Sequence, residues 1–214
     1  MYGPPEWRAL VETLEIEKKI LLLGEPAVGK TSLVRRFVID KFSDRYLATI
    51  GTKTSRKLMD FNFPERGLHI KLQLYVWDVF GQSGMPRAYK IYFKGAEAAI
   101  LVFDLTRPMT LAALERWGET LRSICGDVPG ILACNKADLD RQVSITDEEI
   151  SKKAGSLRMA SLMTSAKTGE NVETAFRAIG SLLCAPMVQK FLRGELYSQR
   201  PEGKSGASRW KPLT

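Results

Sequence analysis

The chain has 214 residues, 44% of them hydrophobic, and a formal net charge of +8, which suits one globular α/β domain with tails and argues against a natively unfolded chain. Its three cysteines, Cys125, Cys134 and Cys184, are an odd number without metal-ligand spacing, so they read as reduced packing residues and point to the cytoplasm rather than to a disulfide framework. Met1-Tyr-Gly-Pro-Pro5 opens no basic-then-apolar leader, and no run of 18 apolar residues occurs, so neither secretion nor a membrane span is expected.

Residues 5–14 place Trp7, Leu10, Val11 and Leu14 at helical spacing after Pro4-Pro5, which predicts a short amphipathic helix within an N-terminal extension, residues 1–16. The apolar run Ile20-Leu-Leu-Leu23 then reads as a buried strand. It is followed by Gly24, Glu25, Pro26, Ala27, Val28, Gly29, Lys30 and Thr31, and by the helix-like stretch Ser32–Val38. Strand, glycine loop and helix in that order form a phosphate-binding loop. Gly24 and Gly29 let the backbone aim several N–H groups at one point, and the helix adds the partial positive charge of its N-terminus. Lys30 is placed for β- and γ-phosphate oxygens and the Thr31 hydroxyl for Mg²⁺.

The two stretches 52–63 and 68–77 flank Pro64-Glu-Arg-Gly67, a turn sequence, and predict an antiparallel hairpin at one edge of the sheet. Apolar runs at 98–103 and 130–134, and a further strand at 159–163, alternate with helical periodicity through 111–117 and 172–183. Thr146-Asp-Glu-Glu149 matches a capping box, and Asn171 is read as the cap of the last long helix. The pattern predicts an α/β fold: a three-layer sandwich of the phosphate-loop NTPase kind. Its sheet has about six strands, mostly parallel with one antiparallel edge strand, and helices on both faces. The domain is expected to span residues 17–193. From Gly194 on, polar and charged residues without periodicity predict a mobile tail, and residues 187–214 hold six basic residues against two acidic ones, half of the net excess. That reads as a solvated basic tail rather than a specific nucleic-acid surface.

Further motifs name the base and the chemistry. Asn135-Lys136-Ala137-Asp138 follows a predicted strand, at the carboxyl edge where open α/β sheets bind ligands. Asp138 there can accept both the ring N–H and the exocyclic amine of guanine, a donor pair that adenine lacks. Asn135 would brace the phosphate loop, the stem of Lys136 would lie on the ring, and Ser165-Ala166-Lys167 would offer a backbone N–H to the guanine carbonyl. Asp78, in Trp77-Asp78-Val79-Phe80-Gly81-Gln82, would hold Mg²⁺ through a water, Gly81 would donate to the γ-phosphate and Gln82 would orient the attacking water. Thr49 would be a second Mg²⁺ ligand and Phe42 would stack against the base.

With these residues in order, the chain resembles the Ras superfamily of small GTPases and most closely its Rab branch, over roughly residues 17–186. Phe42, Tyr46 and Thr49-Ile50-Gly51 fall at the Rab-like spacing after Lys30, and Lys94-Gly95 with 99–106 resembles the Rab segment after the second switch. The resemblance implies a GTP/GDP- and Mg²⁺-dependent switch with Lys30, Thr49 and Gln82 serving slow hydrolysis. It also implies a monomer that meets effector, exchange-factor and activating proteins through the loops around 42–49 and 81–92. Pro26 and Ala27 stand where many members have glycine, Ser83 replaces the usual glutamate, Val79-Phe80 replaces Thr-Ala, and Thr52-Lys53-Thr54 departs from the Rab-like segment. These departures favour altered partners and keep open a nucleotide-binding scaffold with little hydrolysis. A nucleotide kinase, which would need a second-substrate site and an arginine-rich lid, has no such sign. Neither a prenylatable cysteine in the last six residues nor a glycine at position 2 is present, so at most weak peripheral membrane contact is expected, through the basic tail and Trp210.

Overall fold

The computed structural model describes residues 11–40, 52–79 and 90–196. Six strands form one sheet in the order β2-β3-β1-β4-β5-β6: β1 (Glu12–Leu23), β2 (Thr52–Phe63), β3 (Leu68–Val79), β4 (Ala98–Asp104), β5 (Gly130–Asn135) and β6 (Ala160–Thr164). Only β2 runs antiparallel, against β3, and every other neighbouring pair is parallel. The helices are α1 (Lys30–Ile39), α2 (Lys90–Phe93), α3 (Pro108–Ala112), α4 (Leu114–Cys125), α5 (Asp147–Leu157) and α6 (Val172–Leu192).

The alternation of strand side chains decides which helices lie where. On β1, Ile20 and Leu22 enter a core with Leu33, Val34 and Phe37 of α1 and Phe176, Ile179 and Leu183 of α6. Leu21 and Leu23 enter the opposite core, with Leu111 of α3, Leu114, Trp117 and Leu121 of α4 and Ile150 of α5. A strand buried on both faces must be apolar at every position, which is why Ile20–Leu23 stands out in the sequence. The Phe37 and Phe176 rings stack with centroids 3.9 Å apart, tying α1 to α6 beside the sheet.

Several elements differ from the sequence-based reading. β1 starts at Glu12, eight residues before the apolar run, so residues 12–14 of the predicted N-terminal helix are strand. Leu14 and Ile16 satisfy a two-residue period as well as a helical one. β3 supplies a parallel partner from Glu12↔Leu68 onward, and Leu14 packs into the α6 core. Trp7 and Leu10 lie outside the described residues, as does the tail from 197. The helical period at 111–117 is divided into α3 and α4 at Ala113, whose N–H bonds back to Met109 O. Asn171 does not cap α6 with its side chain. Its backbone is left-handed, φ 53°, which swings the amide back to donate to Met163 O at 2.9 Å. α6 continues beyond 183 because Val188 is buried and Met187 and Phe191 pack against the same core.

The hairpin, the six-stranded, mostly parallel sheet with one antiparallel edge strand, and the capping box agree with the reading. Thr146 Oγ1 accepts from Glu149 N–H while Glu149 Oε2 accepts from Thr146 N–H. All three cysteines are free thiols, and burial pushes Cys134 up to about 12 and Cys184 to about 11. No helix among the described residues is long and apolar enough to cross a membrane. Replacing Thr146 with Ala should lower stability by about 1 kcal/mol, read from the midpoint of urea unfolding, because the Glu149 N–H in the first turn of α5 loses its side-chain acceptor.

Candidate functional site

The parallel strands all end at one edge, and three loops meet there. The first leaves β1 at Gly24, where φ is 141° and an added Cβ would lie 2.1 Å from Val102 O on β4, so only glycine can turn there. Ala27 holds a left-handed φ of 61°, a strained conformation for a residue with a side chain. At Gly29, φ 102°, a Cβ would meet Asn135 Nδ2 at 2.2 Å. The loop then enters α1, and Leu33 N–H donates to Gly29 O.

Lys30 is 7% exposed and donates through Nζ to Gly24 O at 2.7 Å and Glu25 O at 2.9 Å, so its ammonium lies inside the curve of the loop. Burial lowers its pKa to about 8 despite the opposing pull of Asp78 and Glu25. The Thr31 hydroxyl donates to Asp78 Oδ2. Asp78, near the end of β3, is 1% exposed, and burial raises its pKa above the usual carboxylate range. Its second oxygen, Oδ1, is buried without a hydrogen-bond partner, as is the Thr52 hydroxyl at the start of β2. A buried carboxylate oxygen without a partner costs on the order of 1–3 kcal/mol. A hydroxyl and a carboxylate with a spare oxygen are hard donors that suit a divalent cation such as Mg²⁺.

The second loop follows β5. Asn135, 1% exposed, donates through Nδ2 to Val28 O at 2.7 Å, and its Oδ1 accepts from Ala166 N–H at 3.2 Å. One amide therefore braces the first loop and holds the third, which follows β6. Lys136 takes a left-handed φ of 69°, and its ammonium meets Asp104 Oδ2 at 2.6 Å. Asp138 Oδ1 accepts from the Ser165 hydroxyl at 2.6 Å, which joins the second and third loops again. In the third loop the Ser165, Ala166 and Thr168 N–H groups have internal acceptors, Glu170 O, Asn135 Oδ1 and Ser165 Oγ. Lys167 contributes a carbonyl that accepts from Arg36.

The structure thus gathers Gly24 through Thr31, Asp78, Asn135, Lys136, Asp138, Ser165, Ala166 and Lys167 at one edge. Phe42, Tyr46, Thr49, Gly81 and Gln82 lie outside the described residues. The Glu25 carboxylate is engaged by α4 instead of the loop: Trp117 Nε1 donates to it at 3.2 Å and the Arg116 guanidinium lies 3.7 Å away.

Sequence reasoning missed three supporting residues. Arg36 on α1 donates to Ala166 O at 3.1 Å and Lys167 O at 2.5 Å, fastening the third loop to the helix that begins at the first. Asp104, fully buried, accepts from Lys136 and Arg107, and Arg107 reaches Pro26 O at 3.1 Å. The one legible signal was a charged residue closing the otherwise apolar β4. Arg36 gave none, because a basic residue on an amphipathic helix reads as solvated. Replacing Gly24 with Ala should cost at least about 2 kcal/mol, measured as a lower chemical-denaturation midpoint at unchanged slope, since the Val102 carbonyl belongs to a central strand and cannot retreat.

Comparison with known proteins agrees with this geometry. Residues 19–184 match the sequence model described as the Ras family. The chain is 35% identical over 194 residues to the Ras-related protein Rab-4A of Rattus norvegicus, covering 90% of this chain and 84% of that protein. Identity and coverage are the same for Rab-4A of Homo sapiens, and identity is 34% for that of Mus musculus. With its phosphate-type loop, its Asn135–Asp138 motif and three-quarters of its length matched, the chain belongs to the Ras family of small GTPases and is Rab-like within it.

Proposed function

We propose that this protein is a cytoplasmic guanine-nucleotide switch that binds GTP and GDP with Mg²⁺ and hydrolyses GTP slowly. The observation that supports it most is the buried Asn135 amide, which joins a loop suited to a polyphosphate to the loops that carry Asp138 and Ser165. Asp138 accepts the ring N–H and amino group of guanine, with the Lys136 stem along one ring face and Phe42 at the other. The base carbonyl takes a backbone N–H of the Ser165–Lys167 loop. The N–H groups of residues 25–32 and the Lys30 ammonium hold the phosphates, and the carbonyl bonds that Lys30 makes to Gly24 and Glu25 keep it aimed into the loop.

Thr31, Thr49 and, through a water, Asp78 would hold Mg²⁺, which when bound would supply positive charge beside the phosphates. Gln82 orients the attacking water, and Gly81 donates to the γ-phosphate, so the segments around 42–49 and 81–92 report which nucleotide is bound to effector, exchange and activating proteins. Turnover of the chain alone is slow, on the order of 10⁻⁴ to 10⁻³ per second, the range of Ras-type proteins without a supplied arginine. Pro26 and the left-handed Ala27 favour a second reading, a nucleotide-dependent scaffold with little hydrolysis. Single-turnover hydrolysis decides between them: a switch with catalytic Gln82 loses at least about tenfold in rate on Gln82→Leu, whereas a scaffold shows no change.

Competition binding in Mg²⁺ tests the main reading. GDP and GTP should displace a labelled guanine nucleotide while ADP and ATP do not, and Asp138→Asn should shift preference toward xanthine nucleotides. Equal displacement by ATP would sink the assignment. The affinity for GDP should also fall as pH rises. Lys30 loses its proton near pH 8, and a polyphosphate stabilises the charged ammonium, so binding above that pH must take up a proton. Titrations from pH 7 to 9.5 should show weakening that approaches about tenfold per unit above 8, absent in Lys30→Ala.

A further inference from the structure

We propose that Asp104 is a positioning residue that couples the base loop to the phosphate loop, so that guanine discrimination depends on a contact made at the phosphate end. The inference rests on the nucleotide-switch reading and names how its two half-sites communicate.

Asp104 ends β4 opposite Asn135 of β5, with no exposed surface. Its Oδ1 accepts from Thr106 N–H at 3.0 Å and Thr106 Oγ1 at 2.7 Å. Its Oδ2 accepts from two cations, Lys136 Nζ at 2.6 Å and Arg107 Nε at 2.8 Å. Burial alone would push this carboxyl up, but the bonds from Lys136 and Thr106 outweigh it and hold the group below its ordinary range, so it is an anion at neutral pH. The two cations belong to different half-sites. Lys136 is the second residue of the Asn135–Asp138 motif. Arg107 turns its remaining guanidinium edge to Pro26 O at 3.1 Å, within the phosphate loop, and its charge bears on Lys30.

Both cations share one carboxylate oxygen, so the position of either sets the strength of the other's bond. A base that moves the Lys136 stem changes the hold of Arg107 on Pro26, and phosphates that move Pro26 change the hold of Lys136 on Asp104. Thr106 anchors the other oxygen and keeps the carboxylate from rotating to serve the two cations separately. Lys136 and the two Thr106 donors already give both carboxylate oxygens a partner. Arg107, the second cation, reaches on to a loop carbonyl.

The test compares GDP with IDP, whose base lacks the 2-amino group, by equilibrium competition on the full chain in Mg²⁺. Arg107→Ala removes the Pro26 contact and one of the two cations on Asp104, and the residue is partly exposed, so the variant should fold. It is expected to reduce the GDP-over-IDP preference by about fivefold or more, and to reduce it no further once Asp104→Asn is present. If Asp104→Asn does not fold, Lys136→Met replaces it, since the two cations meet only at Asp104 and the same loss of additivity is expected. Equal weakening of GDP and IDP by Arg107→Ala, or an undiminished effect in the second background, overturns the coupling while leaving the switch reading intact. A wild-type chain that fails to prefer GDP over ADP overturns both.

Discussion

A single buried amide holds the edge of this sheet together. Asn135 donates to the first loop through Val28 O and accepts from the third through Ala166 N–H, while its own backbone ends β5. The side chain is 1% exposed, so neither partner could be exchanged for water without leaving a buried polar group unpaired, at a cost of about 1–3 kcal/mol each. Its bulk also explains Gly29, because a Cβ there would fall on the Asn135 nitrogen. The phosphate-type loop therefore has its curvature because of a residue from another strand, and the geometry of both half-sites is set at one point.

The sheet gives that point its rigidity. β1 and β4 are buried on both faces where they pass under the loops, and β4 carries no exposed residue along its length. The hairpin side differs: β3 alternates buried and half-buried positions, so Leu68, Ile70, Leu72, Leu74 and Val76 face the α6 core while His69, Lys71, Gln73 and Tyr75 face outward. Loops that must hold charge against a fixed geometry leave the two-faced part of the sheet, where packing permits least displacement. Asp78 lies at the junction, on the last turn of β3 toward that region, which is where its carboxylate meets Thr31.

Charge at the site is arranged so that buried groups answer one another. Lys30, Asp78 and Asp104 are the charged side chains among the buried polar residues described, and each has partners across elements. Lys30 is turned onto loop carbonyls, Asp78 keeps one oxygen uncommitted, and Asp104 accepts from two cations. A depressed lysine and a raised carboxylate side by side describe a site whose charged forms are incompletely compensated by the protein itself. Polyphosphate with a divalent cation is the chemistry that would complete both.

Much of this was legible in the chain, because its signals act over a few residues. Glycines at 24 and 29 announce a loop of unusual φ, four consecutive apolar residues announce a strand covered on both faces, and Thr146 with Glu149 announces a helix start. Spacing between such signals was enough for the mostly parallel sheet of about six strands, the hairpin and the Ras-like motifs. What the linear order left open was the choice between partners that satisfy the same local rule. Leu14 fits a helix or a strand until β3 offers a ladder, and Asn171 fits a cap until a left-handed backbone turns it to Met163. Asp104 has the look of a strand ending until two cations arrive from separate loops. Asn135 and Val28 are 107 residues apart, so the bond that organises the site exists only once the sheet has brought their strands into line. Local propensity specified the pieces, and burial decided which polar groups had to meet, because in the interior no water remains to take a missing partner's place.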